Sequence, residues 1–172
     1  MPTRHSHGTK TGKIIAGIII ISDSLYESIQ INSPKEDVSG KLCEQLLKDD
    51  CVTVQAIEVV PDIVYEIRSA FLRLLKQVHL LITIGGTGST PRDVTIESVA
   101  LYTEKKLEGF GELFREQSSP EIGSATILSR AFLGIVEKTI ICCLPGSPHA
   151  VKIGLTRILL PELRHLLKHI DT

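Results

Sequence analysis

Tryptophan is absent, methionine occurs once, and aromatic residues make up only 4% of the 172-residue chain. So few rings offer no platform on which single-stranded bases could stack, and they leave the core to Ile, Leu and Val. An excess of charge of either sign is missing too: 19 Lys and Arg face 20 Asp and Glu. No basic field is available to grip a phosphate backbone, and nucleic acid is excluded as the main partner. No apolar run reaches the roughly 18 residues of a membrane span. The opening MPTRHSHGTKTG lacks the apolar stretch of a signal peptide. Cys43, Cys51, Cys142 and Cys143 form no CxxC and have no histidine at zinc-site spacing. Such usage suits a reducing cytoplasm, where we expect the protein to work.

What is present is aliphatic and regularly patterned. With 42% hydrophobic residues, the chain is predicted to fold as one domain over 13–172, behind a flexible tail over 1–12 that carries His5 and His7. A domain of this length buries roughly 70% of its unfolded surface and needs no disulfide or structural metal. Residues 14–21 (IIAGIIII) form a continuous β-branched run, the mark of a strand buried on both faces. Further strands are predicted at 53–60 (TVQAIEVV), at 79–84 (HLLITI) and across 132–144, ending in TIICCL. Between them, a polar loop is expected as far as Glu36, then a helix for which Asp37 and Ser39 offer N-caps. Helical periodicity follows from Pro61-Asp62 to Val78, and a helix is predicted over 94–105. Short helices are expected around Glu112 and Thr126. A long terminal helix should start at Pro145–Pro148 and bend at Pro161.

Strands alternating with helices predict an α/β fold, a three-layer αβα sandwich around a mostly parallel sheet. Ligands of such sheets bind outside the carboxyl ends of the strands. Ser22-Asp23, Pro61-Asp62, Gly85-Gly86-Thr87-Gly88 and Pro145-Gly146-Ser147-Pro148 all fall at such ends. That coincidence is the clearest pointer to a site.

The glycine turn can bring backbone N–H groups close to an anion, or it can be a simple turn; it matches neither the Walker loop nor GxGxxG. Asp62 and Asp93 at helix starts are capping residues or two carboxylates that share a Mg²⁺. The same choice applies to Asp23. Ser147 could bind phosphate or cap its helix. His149 reads as a surface residue, and His165 with His169 as a solvated pair lacking a third ligand.

Seven segments carry a family resemblance: ISDS (21–24), DVSG (37–40), VVPD (59–62), ITIGGTGSTPRDVT (82–95), GFGELFR (109–115), EIGSATILSRA (121–131) and LPGSPHAV (144–151). In this order they resemble the MogA/MoaB-like molybdopterin-binding family, which includes the G domains of plant and animal cofactor-synthesis proteins. EIGSATILSRA and the short C-terminus resemble the MoaB branch most. The resemblance implies the molybdopterin-binding fold and Mg²⁺-dependent transfer of AMP from ATP to the terminal phosphate of molybdopterin. ATP and Mg²⁺ are used in turnover, and no permanently bound cofactor is expected.

In family members resembling active adenylyltransferases, the acids matching Asp62 and Asp93 are required. Some MoaB-named members lack them and are thought inactive; this chain has both. The resemblance further implies that Gly85, Gly86, Thr87 and Gly88 with Ser22 and Asp23 cradle phosphate. Ser129, Arg130 and Pro145–Pro148 would hold molybdopterin, while Asp37, Ser39 and Arg92 complete the candidate binding set. A homotrimer or homohexamer is implied, with a metal-insertion protein as a further partner. A non-catalytic molybdopterin carrier, or a nucleotide-binding module without a pterin role, are the alternatives.

Overall fold

The computed structural model describes residues 12–171; the tail predicted over 1–12, with His5 and His7, lies outside them apart from Gly12. Six strands form one sheet in the order β2-β1-β3-β6-β5-β4. The strands are β1 (Ile15–Ile21), β2 (Thr53–Val60), β3 (Leu80–Ile84), β4 (Lys105–Lys106), β5 (Phe132–Val136) and β6 (Thr139–Leu144). The first three and β6 run parallel, while β5 is antiparallel to both β6 and β4.

The continuous apolar runs have the cause inferred for them. Alternate residues of one strand belong to two different cores. Ile18, Ile20, Ile82, Cys142 and Leu144 pack on one face, and Ile19, Ile21, Leu81, Ile141 and Cys143 on the other. The first core is covered by α2 (Val38–Asp49), α5 (Glu108–Ile122) and the C-terminal helices. The second is covered by α3 (Val64–Leu75), which contributes Ile67, Ala70, Phe71, Leu74 and Leu75. Each face of an apolar strand therefore has its own helical cover, and the three-layer sandwich is observed.

Several local expectations are corrected. Residues 23–30 form α1 (Asp23–Gln30) where a loop was expected; Ser22 caps it by accepting from Leu25 N at 3.3 Å. The helix predicted over 94–105 shrinks to α4 (Thr95–Val99) and a 3₁₀ turn at Ala100–Tyr102. Thr103-Glu104-Lys105-Lys106 has no apolar residue to bury on a helical face, and Lys105–Lys106 instead makes a short edge strand on β5, a place that tolerates lysine. The segment from Gly109 is one long helix, α5, followed by a 3₁₀ turn at Gly123–Leu128.

The terminal helix is continuous but not uniform. Between α6 (Pro148–Lys152) and α7 (Leu160–Ile170) the chain adopts a π-helical stretch, Ile153–Leu159. Pro161 has no N–H for the preceding turn, and the altered register upstream accommodates that missing donor. Asp37 caps α2, accepting from Gly40 N at 2.8 Å. Ser39 is not a cap.

Candidate functional site

Four strand ends meet at one rim, each through a turn with its own local cause. Where β1 ends, Ser22 N donates to Val60 O (3.0 Å) and draws the ends of β1 and β2 together. Asp23 and Asp62 then form a reciprocal clasp. Asp62 N donates to Asp23 Oδ1 at 2.9 Å, and Asp23 N to Asp62 Oδ2 at 3.2 Å. Helix α3 takes Ile63 as N-cap without a side-chain bond, so Asp62 is not the capping residue that its position allowed.

The glycine turn after β3 is sterically obligatory. Gly85 and Gly86 have φ of +107° and +60°, in the region that favours glycine. A Cβ on Gly85 would run into Ile21 O, and one on Gly86 into Thr95 Oγ1, with Asp62 Oδ1 at 3.0 Å. A Cβ on Gly88 would lie 2.8 Å from Asp93 Oδ2. One carboxylate thus abuts Gly86 and the other Gly88, and both acids face the same turn. Buried Thr95 locks the turn from behind: its Oγ1 donates to Gly85 O (2.9 Å) and its N to Gly86 O (3.0 Å). Asp93 is no cap either, since Val94 occupies that position. Its Oδ2 accepts from Thr90 N (2.8 Å) and Thr90 Oγ1 (2.6 Å).

The two acids have opposite electrostatics. Asp62 is held above the ordinary aspartate range, first by partial burial and then by the charges of Asp23 and Asp93. Asp93 is held below it, first by the Thr90 hydroxyl. Two carboxylates with separated proton affinities beside a phosphate-compatible turn suit acid–base or metal-assisted chemistry. No group of three or more His, Cys, Asp or Glu side chains gathers for a metal among the described residues. Magnesium does not require one, because it binds through one or two carboxylates, water and substrate phosphates. The donor set fits Mg²⁺ on a nucleotide.

Beside this pair lies a cleft of about 220 Å³ between the glycine turn and Pro145–Ser147. Gly86, Thr87, Gly88, Asp93 and Ser129 line its polar side, and Phe114, Ile122, Leu128 and Ala150 its apolar side. Ser129 Oγ is shielded from solvent without a hydrogen-bond partner, an orphan that a bound ligand would satisfy. The reversal of β5 explains how Ser129 and Arg130 reach the rim. Phe132 at the start of β5 pairs with Cys143 at the end of β6, so residues preceding this strand arrive where the others finish.

The remaining candidates divide. Ser39 Oγ donates to Gly146 O at 2.7 Å and anchors the PGSP turn, while Asp37 serves as a helix cap. Ser147 is the N-cap of α6, accepting from Ala150 N at 3.1 Å; Pro148 is the first residue of that helix. Arg92 is exposed and acts on Asp62 through its field. The guanidinium of Arg130 is spent on protein groups, as described below. His149, expected at the surface, keeps a 39% exposed side chain and also borders the cleft, its Nε2 2.9 Å from Glu121 Oε2. His165 and His169 lie exposed on α7 with their Nε2 atoms 2.9 Å apart. Sequence reading missed Thr95, Glu97, Phe114 and Ser118; the conspicuous GFGELFR and RDVT segments contain or adjoin them, but no spacing rule assigned them a part.

Fold and site together define a doubly wound α/β protein with a cleft at the carboxyl rim of its sheet, lined by a glycine turn. The comparisons make this specific. Residues 17–165 match the family described as "Probable molybdopterin binding domain", and the chain belongs to that family of molybdenum cofactor biosynthesis proteins. It is 41% identical over 152 residues to molybdenum cofactor biosynthesis protein B of Bacillus anthracis, covering 87% of this chain and 86% of that protein. It superposes on the tungsten cofactor synthesizing protein MoaB of Pyrococcus furiosus with a TM-score of 0.84 at 36% identity, covering 94% and 99% of the two chains. The Mog protein of Mycobacterium ulcerans gives 0.82 at 28% identity, covering 94% and 99%. Among the described residues no helix is long and apolar enough to cross a membrane.

Proposed function

We propose that the protein is a molybdopterin adenylyltransferase. An oxygen of the terminal phosphate of molybdopterin attacks the α-phosphorus of ATP, the new O–Pα bond forms, and the bond to the β-phosphate oxygen breaks to release pyrophosphate. The observation that carries this reading is the pairing of Asp62 and Asp93 against one glycine turn, neither of them used as a helix cap. Structural capping would leave both acids in the N-cap position; a role in holding a divalent ion explains why they face Gly86 and Gly88 instead.

The chain's own groups act mainly by alignment. Asp62 and Asp93 would hold Mg²⁺, which offsets charge on the phosphates when bound. The N–H groups of the glycine turn would face phosphate oxygens. Ser129 Oγ and the PGSP turn, itself anchored by Ser39, would position the pterin phosphate along the apolar wall of the cleft. Bringing two polyanions together in line accounts for most of the rate in such a site. We infer a cytoplasmic homo-oligomer, trimeric or hexameric, that passes its product to a metal-inserting partner.

The test is incubation with molybdopterin, ATP and Mg²⁺, measuring adenylylated molybdopterin and pyrophosphate. Asp62→Asn and Asp93→Asn should each stop AMP transfer while molybdopterin still binds. Binding without turnover by the unaltered protein would leave a carrier; loss of molybdopterin binding in both variants would remove the two acids from the catalytic role.

A further inference from the structure

Arg130 follows the cleft-lining Ser129, and its guanidinium is engaged by protein groups on more than one side, the Glu97 carboxylate among them remaining half exposed. Its Nε donates to Gly88 O at 2.7 Å and its NH2 to Asp93 O at 2.8 Å. Glu97 takes NH1 on Oε1 and lies 3.4 Å from NH2 through Oε2. A guanidinium has five N–H donors, and four contacts to protein leave it no bidentate edge for a phosphate. The carbonyls of Gly88 and Asp93 are the two ends of the exposed segment GSTPRD. Within that segment the described ties are local, between Thr90 and Asp93. Arg130 therefore spans the segment from outside and fixes its two ends relative to each other. Glu97, in the first turn of α4, fixes the guanidinium in turn, and Arg130 in return holds the Glu97 carboxyl below its ordinary range.

We propose that Arg130 and Glu97 are positioning residues: their ion pair clamps the carbonyls of Gly88 and Asp93, so that the 88–93 loop presents the Asp93 carboxylate to the glycine turn in one fixed arrangement. The proposal rests on the adenylyltransferase reading for its kinetic consequence, but its structural content stands apart from it. It differs from the direct molybdopterin contact implied for Arg130 by resemblance. Planarity is essential to the clamp, because a lysine ammonium keeps the charge but cannot reach two carbonyls and a carboxylate in fixed fork geometry.

The experiment compares the unaltered protein with Arg130→Lys and Glu97→Gln. In AMP transfer, Arg130→Lys should lower kcat about 10- to 100-fold, the effect of a misplacement near 1 Å. It should also raise the Mg²⁺ concentration needed for half-maximal rate and leave the Kd for molybdopterin within about twofold of the unaltered value. Glu97→Gln keeps an acceptor oxygen and should shift the same quantities in the same direction by less. Amide hydrogen exchange, which requires no turnover, should show Thr90 and Asp93 exchanging faster in Arg130→Lys while β1 and β3 keep their protection.

A weakened molybdopterin Kd with kcat intact would overturn the proposal in favour of direct contact. Unchanged kcat and Mg²⁺ requirement, or unchanged exchange at Thr90 and Asp93, would overturn it as well. Exchange that rises across β1 and β3 too would show global destabilisation and would also refute it. If the unaltered protein transfers no AMP, the adenylyltransferase reading fails, and the exchange comparison alone decides the clamp.

Discussion

Replacing Gly86 by alanine tests the packing of the glycine turn and the placement of Asp62 at once. At φ +60°, an L-residue costs about 1–2 kcal/mol relative to glycine. The added methyl also meets Thr95 Oγ1 and lies 3.0 Å from Asp62 Oδ1. Thr95 is fully buried and has no room to retreat without breaking its bond to Gly85 O (2.9 Å). Loss of a buried hydrogen bond with a partner left unpaired costs about 1–3 kcal/mol. The expected destabilisation is about 2–5 kcal/mol, or about 4–20 °C in Tm for a chain of this size. Thermal unfolding followed by circular dichroism, at one protein concentration, measures it.

The decisive comparison adds Thr95→Ala. Removing the hydroxyl relieves the collision, so Gly86→Ala in that background should cost only the backbone component, with a coupling of about 1–3 kcal/mol between the two sites. Glycine replaced by alanine at an unstrained position stabilises by about 0.4–1 kcal/mol. A neutral or stabilising Gly86→Ala, or an equal penalty in both backgrounds, would refute the steric account of this turn.

The two acids should part company in stability, although amidating either one is expected to abolish AMP transfer. Asp62 binds its proton more tightly in the folded chain, so its contribution to stability is fullest below the unfolded aspartate range and is lost as pH rises through the folded value. Asp62→Asn should therefore raise Tm at neutral pH, with the gain shrinking on acidification; an unchanged or lower neutral Tm would contradict this. Asp93 binds its proton less tightly when folded, so its contribution is present above the unfolded range and is lost as pH falls through the folded value. Asp93→Asn should lower Tm at neutral pH. Ser39→Ala removes the 2.7 Å bond to Gly146 O and should cost about 0.5–1.5 kcal/mol, raising KM for molybdopterin more than it lowers kcat in steady-state assays. Thr139→Val, at the far end of β6, strips the donor shared by Leu75 O (3.0 Å) and Val78 O (2.9 Å). It should cost about 1–3 kcal/mol in chemical denaturation while leaving AMP transfer by the folded protein unchanged.

The buried strands were legible because IIAGIIII and TIICCL admit no polar face, and a run of that length without one has to be covered on both sides. The glycine turn was legible as a turn; that Gly85 and Gly86 are obligatory there follows from Ile21 O and Thr95 Oγ1, which approach from elsewhere in the chain. Helix boundaries near Val94 and Gly109 were misjudged where propensity was weak and pairing with β5 decided the outcome. The parts of Glu97 and Arg130 were invisible for a plainer reason. Their contacts join positions 33 and 42 residues apart, and no local period encodes a side chain reaching across a sheet edge. His149 was legible as a surface residue; that it also borders the cleft beside Glu121 depends on where α5 lies, which its own sequence neighbourhood does not encode.

The reversal of β5 has an evolutionary consequence. In a wholly parallel sheet, every segment at the carboxyl rim would be a sequel to some strand, and each change of length there would disturb the helix that follows. Here the 123–130 wall enters the rim from upstream, on a chain path separate from the turns that hold Asp23 and Asp62. Residues 123–128 of that wall can drift or lengthen, reshaping what the cleft admits, while Arg130 keeps its hold on the Asp93 loop and Asp23 and Asp62 stay where they are. Selectivity and chemistry are thereby free to diverge on different timetables within one small sheet.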